Sequence, residues 1–221
     1  SEAGYALSKL YLQPGGVAES GTNAETLWNN IIEQSATHAF WALNLKAHYL
    51  LQQGALQQGG EHLQKGIEAF RKAIEVDADC GHCWFGLGYC YSKLRQNTAA
   101  QKSLLRAIEL IPDHDVIETT LAEVERRLTL FDESLLRFKM VLSRSPDDLV
   151  ALKGVTDSCI AVAYRWITIG WSRGAAIMMM EGIENSERGL TLCKSEDERN
   201  VFNVLFGALA LFSNNLTPLD L

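Results

Sequence analysis

Cys80-Gly81-His82-Cys83 is the one cluster in this chain whose residue types and spacing could hold a metal. Two cysteines separated by two residues can bind zinc through their thiolates, but a structural zinc needs four ligands, usually from two such pairs. There is no second pair, only His82 between the two and Cys90 two turns on. No metal and no cofactor are therefore expected. The other residues that could do chemistry are scattered. His38, His48, His62, His82 and His114 fall near expected helix ends or surfaces. Glu123 and Glu125 could form a carboxylate pair for acid–base work, but they are expected to be solvated. Arg126, Arg127, Arg137 and Lys139 make a small basic cluster, read as a solvated helix face. Met178-Met179-Met180 spans all sides of a helix and reads as core filling rather than as an adaptable binding surface. The chain lacks the G-x-x-x-x-G-K-[ST] phosphate loop, the G-x-S-x-G nucleophile turn and the H-E-x-x-H zinc motif. No catalytic residue is assigned, and the chain is not expected to be an enzyme.

Composition narrows the function classes further. The chain has 221 residues, 47% hydrophobic and 21% charged, enough for a continuous core. A net charge of −7 argues against direct nucleic-acid binding, which normally needs a basic surface. No apolar run reaches the roughly 18 residues of a membrane span. The five cysteines are spread along expected helices and read as reduced thiols of the cytosol or nucleus. The chain opens at Ser1, without a Met and without a signal-peptide pattern, and its ends cut into the repeating pattern, so a piece of a longer protein is expected.

The elements that must position any site are legible between Cys83 and Asp113. Trp84, Leu87, Gly88 and Tyr91 fall at i, i+3, i+4 and i+7 and share one helix face. Ala100, Leu104 and Ala107 form a matching stripe on a second helix, and Pro112 stops it. Arg95-Gln96-Asn97-Thr98 supplies polar turn and capping residues between them. Gly88 is expected to face Ala100 where the helices come closest. Trp, Leu, Gly, Tyr, Ala, Leu, Ala and Pro at these intervals resemble the tetratricopeptide repeat, a 34-residue helix-turn-helix unit. An ordinary helical hairpin is the alternative, and the degraded copy that follows in register disfavours it. In that copy Leu121, Ala122, Ser134, Phe138, Val141 and Pro146 hold the repeat positions, with Glu118 in place of Trp and Glu125 in place of Tyr.

Other stretches extend the pattern. Leu152 and Val155 open a third pair that does not turn on schedule, because Ile160–Trp171 is apolar, and a long helix over 173–192 follows. Phe40–Gln53 reads as a helix ended by Gly54, with the Gly-rich stretch Ala55–Glu61 as a loop. Gly66, Phe70 and Ala73 mark its partner. Ala24, Trp28 and Ile31 read as a second helix further back. Tyr5, Leu7, Leu10 and Tyr11 read as the end of a first, with a loop from Pro14 between them. Ser195-x-x-Glu198 is a capping box before Val201, Phe202, Leu205, Leu209 and Phe212, and a loop or frayed end is expected from Ser213. The expected fold is all-α, an α-α superhelix of about five helical pairs forming one solenoid over 1–221. Its clearest repeats are 81–114 and 115–148, with an over-long pair at about 149–193.

In such a stack the first helix of each pair lines a concave wall. The wall positions expected here are His82, Phe85, Tyr89, Ser92 and Lys93, then Val116, Thr119, Glu123, Arg126 and Arg127, then Val150, Lys153, Asp157 and Ile160. Some tetratricopeptide co-chaperones hold a C-terminal carboxylate with Lys and Asn on this wall. Phe85 and Tyr89 occupy those positions and argue against such a clamp. They suit an extended peptide or a partner's loop, or else simply pack against the neighbouring repeat.

Three stretches together carry a narrower resemblance: Ala39–Gly54 (AFWALNLKAHYLLQQG), Cys83–Pro112, and Ala151–Ala163 (ALKGVTDSCIAVA) with the long pair after it. Their order and spacing resemble the large tetratricopeptide subunit of the superkiller (Ski) complex. The chain departs from that family in the seven-residue insertion after Gly54 and across Trp166–Ile183. The resemblance implies a cytoplasmic, non-enzymatic scaffold. In that family it holds a DExH-box RNA helicase and WD-repeat subunits together, and the assembly feeds RNA to the exosome for 3′-to-5′ mRNA decay. Competing readings are a peptide-binding adaptor or co-chaperone module, and the recruiting arm of an enzyme whose catalytic domain lies outside the chain.

Overall fold

The computed structural model describes residues 20–34, 36–57 and 60–213. The expectations placed on Tyr5, Leu7, Leu10, Tyr11, the loop from Pro14 and the residues after Ser213 lie outside them, as do the side chains of Ala24 and His38. Ten helices and no strand occur among the described residues. They fall into two compact units. The first, up to Pro112, contains α1 (Ser20–Gln34), α2 (Ala36–Gln57), α3 (Gly60–Val76), α4 (Gly81–Lys93) and α5 (Asn97–Leu110). The second, from Asp113, contains α6 (Asp115–Arg127), α7 (Phe131–Arg144), α8 (Leu149–Thr168), α9 (Ser172–Leu192) and α10 (Glu196–Ser213).

The 34-residue period is written into the backbone as well as the side chains. Helix α4 ends with Arg95 in the left-handed region (φ 60°), and α6 ends with Thr129 there (φ 64°). The Gln96 N–H donates to the Tyr91 carbonyl at 2.9 Å, and the Leu130 N–H to the Glu125 carbonyl at 2.9 Å. Each is a Schellman closure, in which a reversed residue lets the next N–H satisfy an orphan carbonyl. The ends of the second helices also correspond. The Ile111 N–H donates to the Ala107 carbonyl and the Ser145 N–H to the Val141 carbonyl, both at 2.8 Å. Every one of these pairs is separated by one repeat length.

The third pair turns seven residues late, and the extra length has a helical reason. Its closure is the same, with Gly170 at φ 81° and the Trp171 N–H donating to the Trp166 carbonyl at 2.8 Å. Helix α8 has 20 residues against 13 in α6, and α9 has 21 against 14 in α7. Seven residues are about two turns at 3.6 residues per turn, so the buried face keeps its direction. Leu152, Val155, Cys159 and Val162 continue one inward stripe along α8.

In the first unit Trp28 is fully buried with its ring centroid 5.7 Å from that of Tyr49. Leu43, Ala47 and Leu50 of α2 meet Leu63, Ile67, Phe70 and Ala73 of α3 in the core. Gly54 does not end α2, which runs on to Gln57, and α3 opens at Gly60. The expected loop at Ala55–Glu61 is thus mostly helix. The glycine serves a close approach instead: a Cβ there would lie 2.7 Å from Leu63 Cγ and 3.2 Å from the Leu63 backbone nitrogen. Gly88 likewise approaches Leu104, one turn beyond the expected Ala100, with Leu104 Cγ 2.7 Å from where a Cβ would be. Tyr91 is buried, and its hydroxyl accepts from Arg71 at 2.6 Å. The half-buried Trp84 donates its indole N–H to the Ala78 carbonyl at 2.8 Å.

In the second unit Phe138, Val141, Ala122, Ala151, Val155 and Cys159 pack into one cluster. Met179 joins Ala163, Ala175 and Leu209 in another, while Met180 points outward. Glu118 and Glu125 stand where the first repeat has Trp84 and Tyr91, and they are buried at 3% and 2% exposure. One guanidinium serves both. Arg137 Nη1 donates to Glu118 at 3.0 Å, and Arg137 Nε donates to both Glu125 oxygens at 2.9 Å. The expectation that Glu125 is solvated is therefore corrected: an ion network fills the space that aromatic rings fill one repeat earlier. With two carboxylates to one cation, burial pushes the Glu125 carboxyl above its ordinary range despite the pull of Arg137. At the start of α10 the capping box is closed, with the Glu198 N–H donating to Ser195 Oγ and the Ser195 N–H to Glu198 Oε2, both at 3.2 Å.

Candidate protein-interaction surface

On the first unit, α4 buries Leu87, Gly88 and Tyr91 and turns Phe85 and Tyr89 to the other side, where both are half-buried. Their ring centroids lie 6.0 Å apart, tilted by 58°. Lys93 Nζ lies 5.0 Å from the Tyr89 centroid, a cation–π contact of about 0.5–1 kcal/mol at an exposed site. His82 is exposed at the start of the helix, and Ser92, expected on this face, is buried. The result is an aromatic pair closed at one end by a cation.

On the second unit, α6 and α8 bring the expected polar positions together. Arg126 donates to Glu123 through Nε and Nη2, both at 2.9 Å, and Arg127 Nε donates to the same carboxylate at 3.1 Å. Lys153 and Asp157 pair at 2.9 Å along α8. Beside them Arg126, Phe131, Asp157, Ile160, Ala161 and Tyr164 line an open groove of about 370 Å³. Its floor is apolar, and Arg126 and Asp157 place one charge of each sign on its rim. Thr119 does not join them: it is buried, and its hydroxyl donates to the Val116 carbonyl at 3.2 Å. Phe131, Ala161 and Tyr164 were not among the expected wall residues. The signal for Tyr164 was present, since it lies four residues past Ile160 on the same face of α8.

The expected basic cluster is neutralised residue by residue. Arg126 and Arg127 share Glu123, Arg137 serves Glu118 and Glu125, and Lys139 pairs with Glu181 at 2.5 Å. Burial acts to raise the Glu123 carboxyl, but Arg126 and Arg127 outweigh it and hold the group below its ordinary range. A depressed carboxylate stabilises the fold above its unfolded pKa, and this contribution is lost as pH falls through the folded value. Glu123→Gln is therefore expected to lower stability at neutral pH by up to about 1 kcal/mol, allowing for solvent screening. Urea unfolding of both proteins should show the difference at neutral pH and its disappearance in acid below the glutamate range.

Among the described residues no group of three or more His, Cys, Asp or Glu is placed to hold a metal ion. No described helix is long and apolar enough to cross a membrane. The family model of the tetratricopeptide repeat matches residues 81–114. Those residues are a tetratricopeptide repeat. Superkiller complex protein 3 of Mus musculus is 31% identical over 121 residues, covering 55% of this chain and 7% of that protein. Anaphase-promoting complex subunit 3 of Schizosaccharomyces pombe is 31% identical over 83 residues, covering 38% of this chain and 12% of that protein. The chain thus spans only a small part of the length of these relatives. Among solved structures, YrrB, described as a TPR protein with an unusual peptide-binding site, superposes with a TM-score of 0.56 at 14% identity, over 86% of this chain and 98% of that one. The fold is that of the all-α tetratricopeptide solenoids, a class that points to protein interaction rather than catalysis.

Proposed function

We propose that this chain is a segment of a non-catalytic scaffold like the large tetratricopeptide subunit of the superkiller complex. In this reading it helps hold a DExH-box RNA helicase and WD-repeat subunits in a cytoplasmic assembly for exosome-linked 3′-to-5′ mRNA decay. The observation that carries it is the similarity to the mouse superkiller subunit across more than half of this chain. The seven-residue lengthening of both α8 and α9 supports it, because the family has an over-long pair opened by a run similar to Ala151–Ala163. The binding faces are the Phe85, Tyr89 and Lys93 side of α4, with His82 at its start, and the groove formed by Arg126, Asp157 and Tyr164, with Lys153 on its flank. The chain contacts protein in this reading, and the helicase, not this net-negative chain, contacts RNA.

A second reading is a peptide-binding adaptor. The groove of about 370 Å³ favours it, because its apolar floor and paired rim charges suit an extended peptide. Purification of the parent protein with its partners separates the two. Stoichiometric helicase and WD-repeat subunits belong to the scaffold, whereas chaperones or scattered weak partners belong to the adaptor.

A further inference from the structure

The cysteine pair at the head of α4 has a geometry that its repeat does not require. Cys80 is the N-cap residue, with non-helical backbone angles (φ −72°, ψ 91°), and its sulfur accepts the Cys83 N–H at 3.3 Å. That bend brings the two sulfurs to 2.8 Å as free thiols. A disulfide closes at about 2.05 Å, so the bond needs a shift of less than about 1 Å. The two residues differ in access, since Cys80 is partly exposed and Cys83 is fully buried behind it. The Asn44 amide of α2 points at both, 3.2 Å from Cys83 Sγ and 4.0 Å from Cys80 Sγ.

We propose that Cys80 and Cys83 are a redox-active dithiol that closes to an intramolecular disulfide by exchange with a low-molecular-weight disulfide. The Cys80 thiolate attacks one sulfur of the small disulfide, forming a mixed disulfide and releasing one small thiolate. Cys83 then gives up its proton and attacks Cys80 Sγ, closing the protein disulfide and releasing the second small thiol. The protein loses two electrons and two protons, and one small disulfide becomes two thiols. The order follows from access. Burial raises the Cys83 thiol and keeps it from attacking first, while a mixed disulfide on Cys80 sits against it. Cys90 and Cys159 are fully buried, so a small disulfide in solution does not reach their sulfurs. The proposal is independent of the scaffold reading.

The test is to equilibrate the reduced chain with graded ratios of glutathione to glutathione disulfide, alkylate under denaturing conditions, and weigh the peptides. The peptide holding both Cys80 and Cys83 should resist alkylation and be lighter by two hydrogens at oxidising ratios, while Cys90, Cys159 and Cys193 remain alkylated. Cys83→Ala should stop at a glutathione adduct on Cys80. Cys80→Ser keeps a good helix cap and should leave Cys83 unreacted. Alkylation of both cysteines at every ratio, or a wild-type chain that stops at the mixed disulfide, would overturn the proposal.

Discussion

Arg137→Met is expected to destabilise the chain by about 3–5 kcal/mol, the cost of leaving a buried charge without its partner. The guanidinium is the cation that faces both Glu118 and Glu125, carboxylates only 3% and 2% exposed. Without it, both must take up protons or draw water into the joint between α6 and α7. The companion variant separates this cost from the value of the network. Replacing Glu118, Glu125 and Arg137 together by Leu, Phe and Met removes every charge and restores apolar packing where the first repeat has Trp84 and Tyr91. Such replacements are often neutral or stabilising, so the triple variant should recover most of the loss. Thermal or urea unfolding of the three proteins decides it. A single variant as stable as wild type would mean that the network is not buried as described.

Gly88→Leu is expected to cost at least about 1–3 kcal/mol through overpacking. The nearest atoms to an added Cβ are Leu104 Cγ at 2.7 Å and the Leu104 backbone nitrogen at 3.2 Å. The side chain of Leu104 can rotate, but its backbone cannot retreat without separating α4 from α5. Gly207 in α10 is the control, because nothing lies within 4 Å of a Cβ added there. Gly207→Ala should stabilise the chain by up to about 1 kcal/mol, the helix propensity of Ala over Gly. Opposite signs at two helical glycines would show that the close approach, not glycine itself, sets the cost.

The repeat register was legible because it rests on large or small side chains at fixed helical intervals. Leu87, Gly88, Tyr91, Ala100, Leu104 and Ala107 are all buried, as a one-sided stripe predicts. Spacing does not set the crossing of the two helices, so it points Gly88 at Ala100, whereas Gly88 meets Leu104. Gly54 is ambiguous in sequence for a related reason. A glycine can end a helix or admit a neighbouring one, and only the position of Leu63 distinguishes the two. Charge usually signals solvent, so the sequence points Glu125 outward, and its partner Arg137 lies on the next helix, twelve residues away. Among the wall positions, Arg126 and Asp157 meet at one groove while Thr119 turns inward. Tyr164 lies beyond the wall positions that the 34-residue period supplies, because α8 carries two further turns past the point where that period expects it to end.

The most direct measurement is affinity purification of the full-length parent protein from its own cells, with partners identified and quantified by mass spectrometry. The account predicts an RNA helicase of the DExH class and a WD-repeat protein in stoichiometric amounts. Chaperones or a scatter of weak, substoichiometric partners would contradict the scaffold and leave a peptide-binding solenoid.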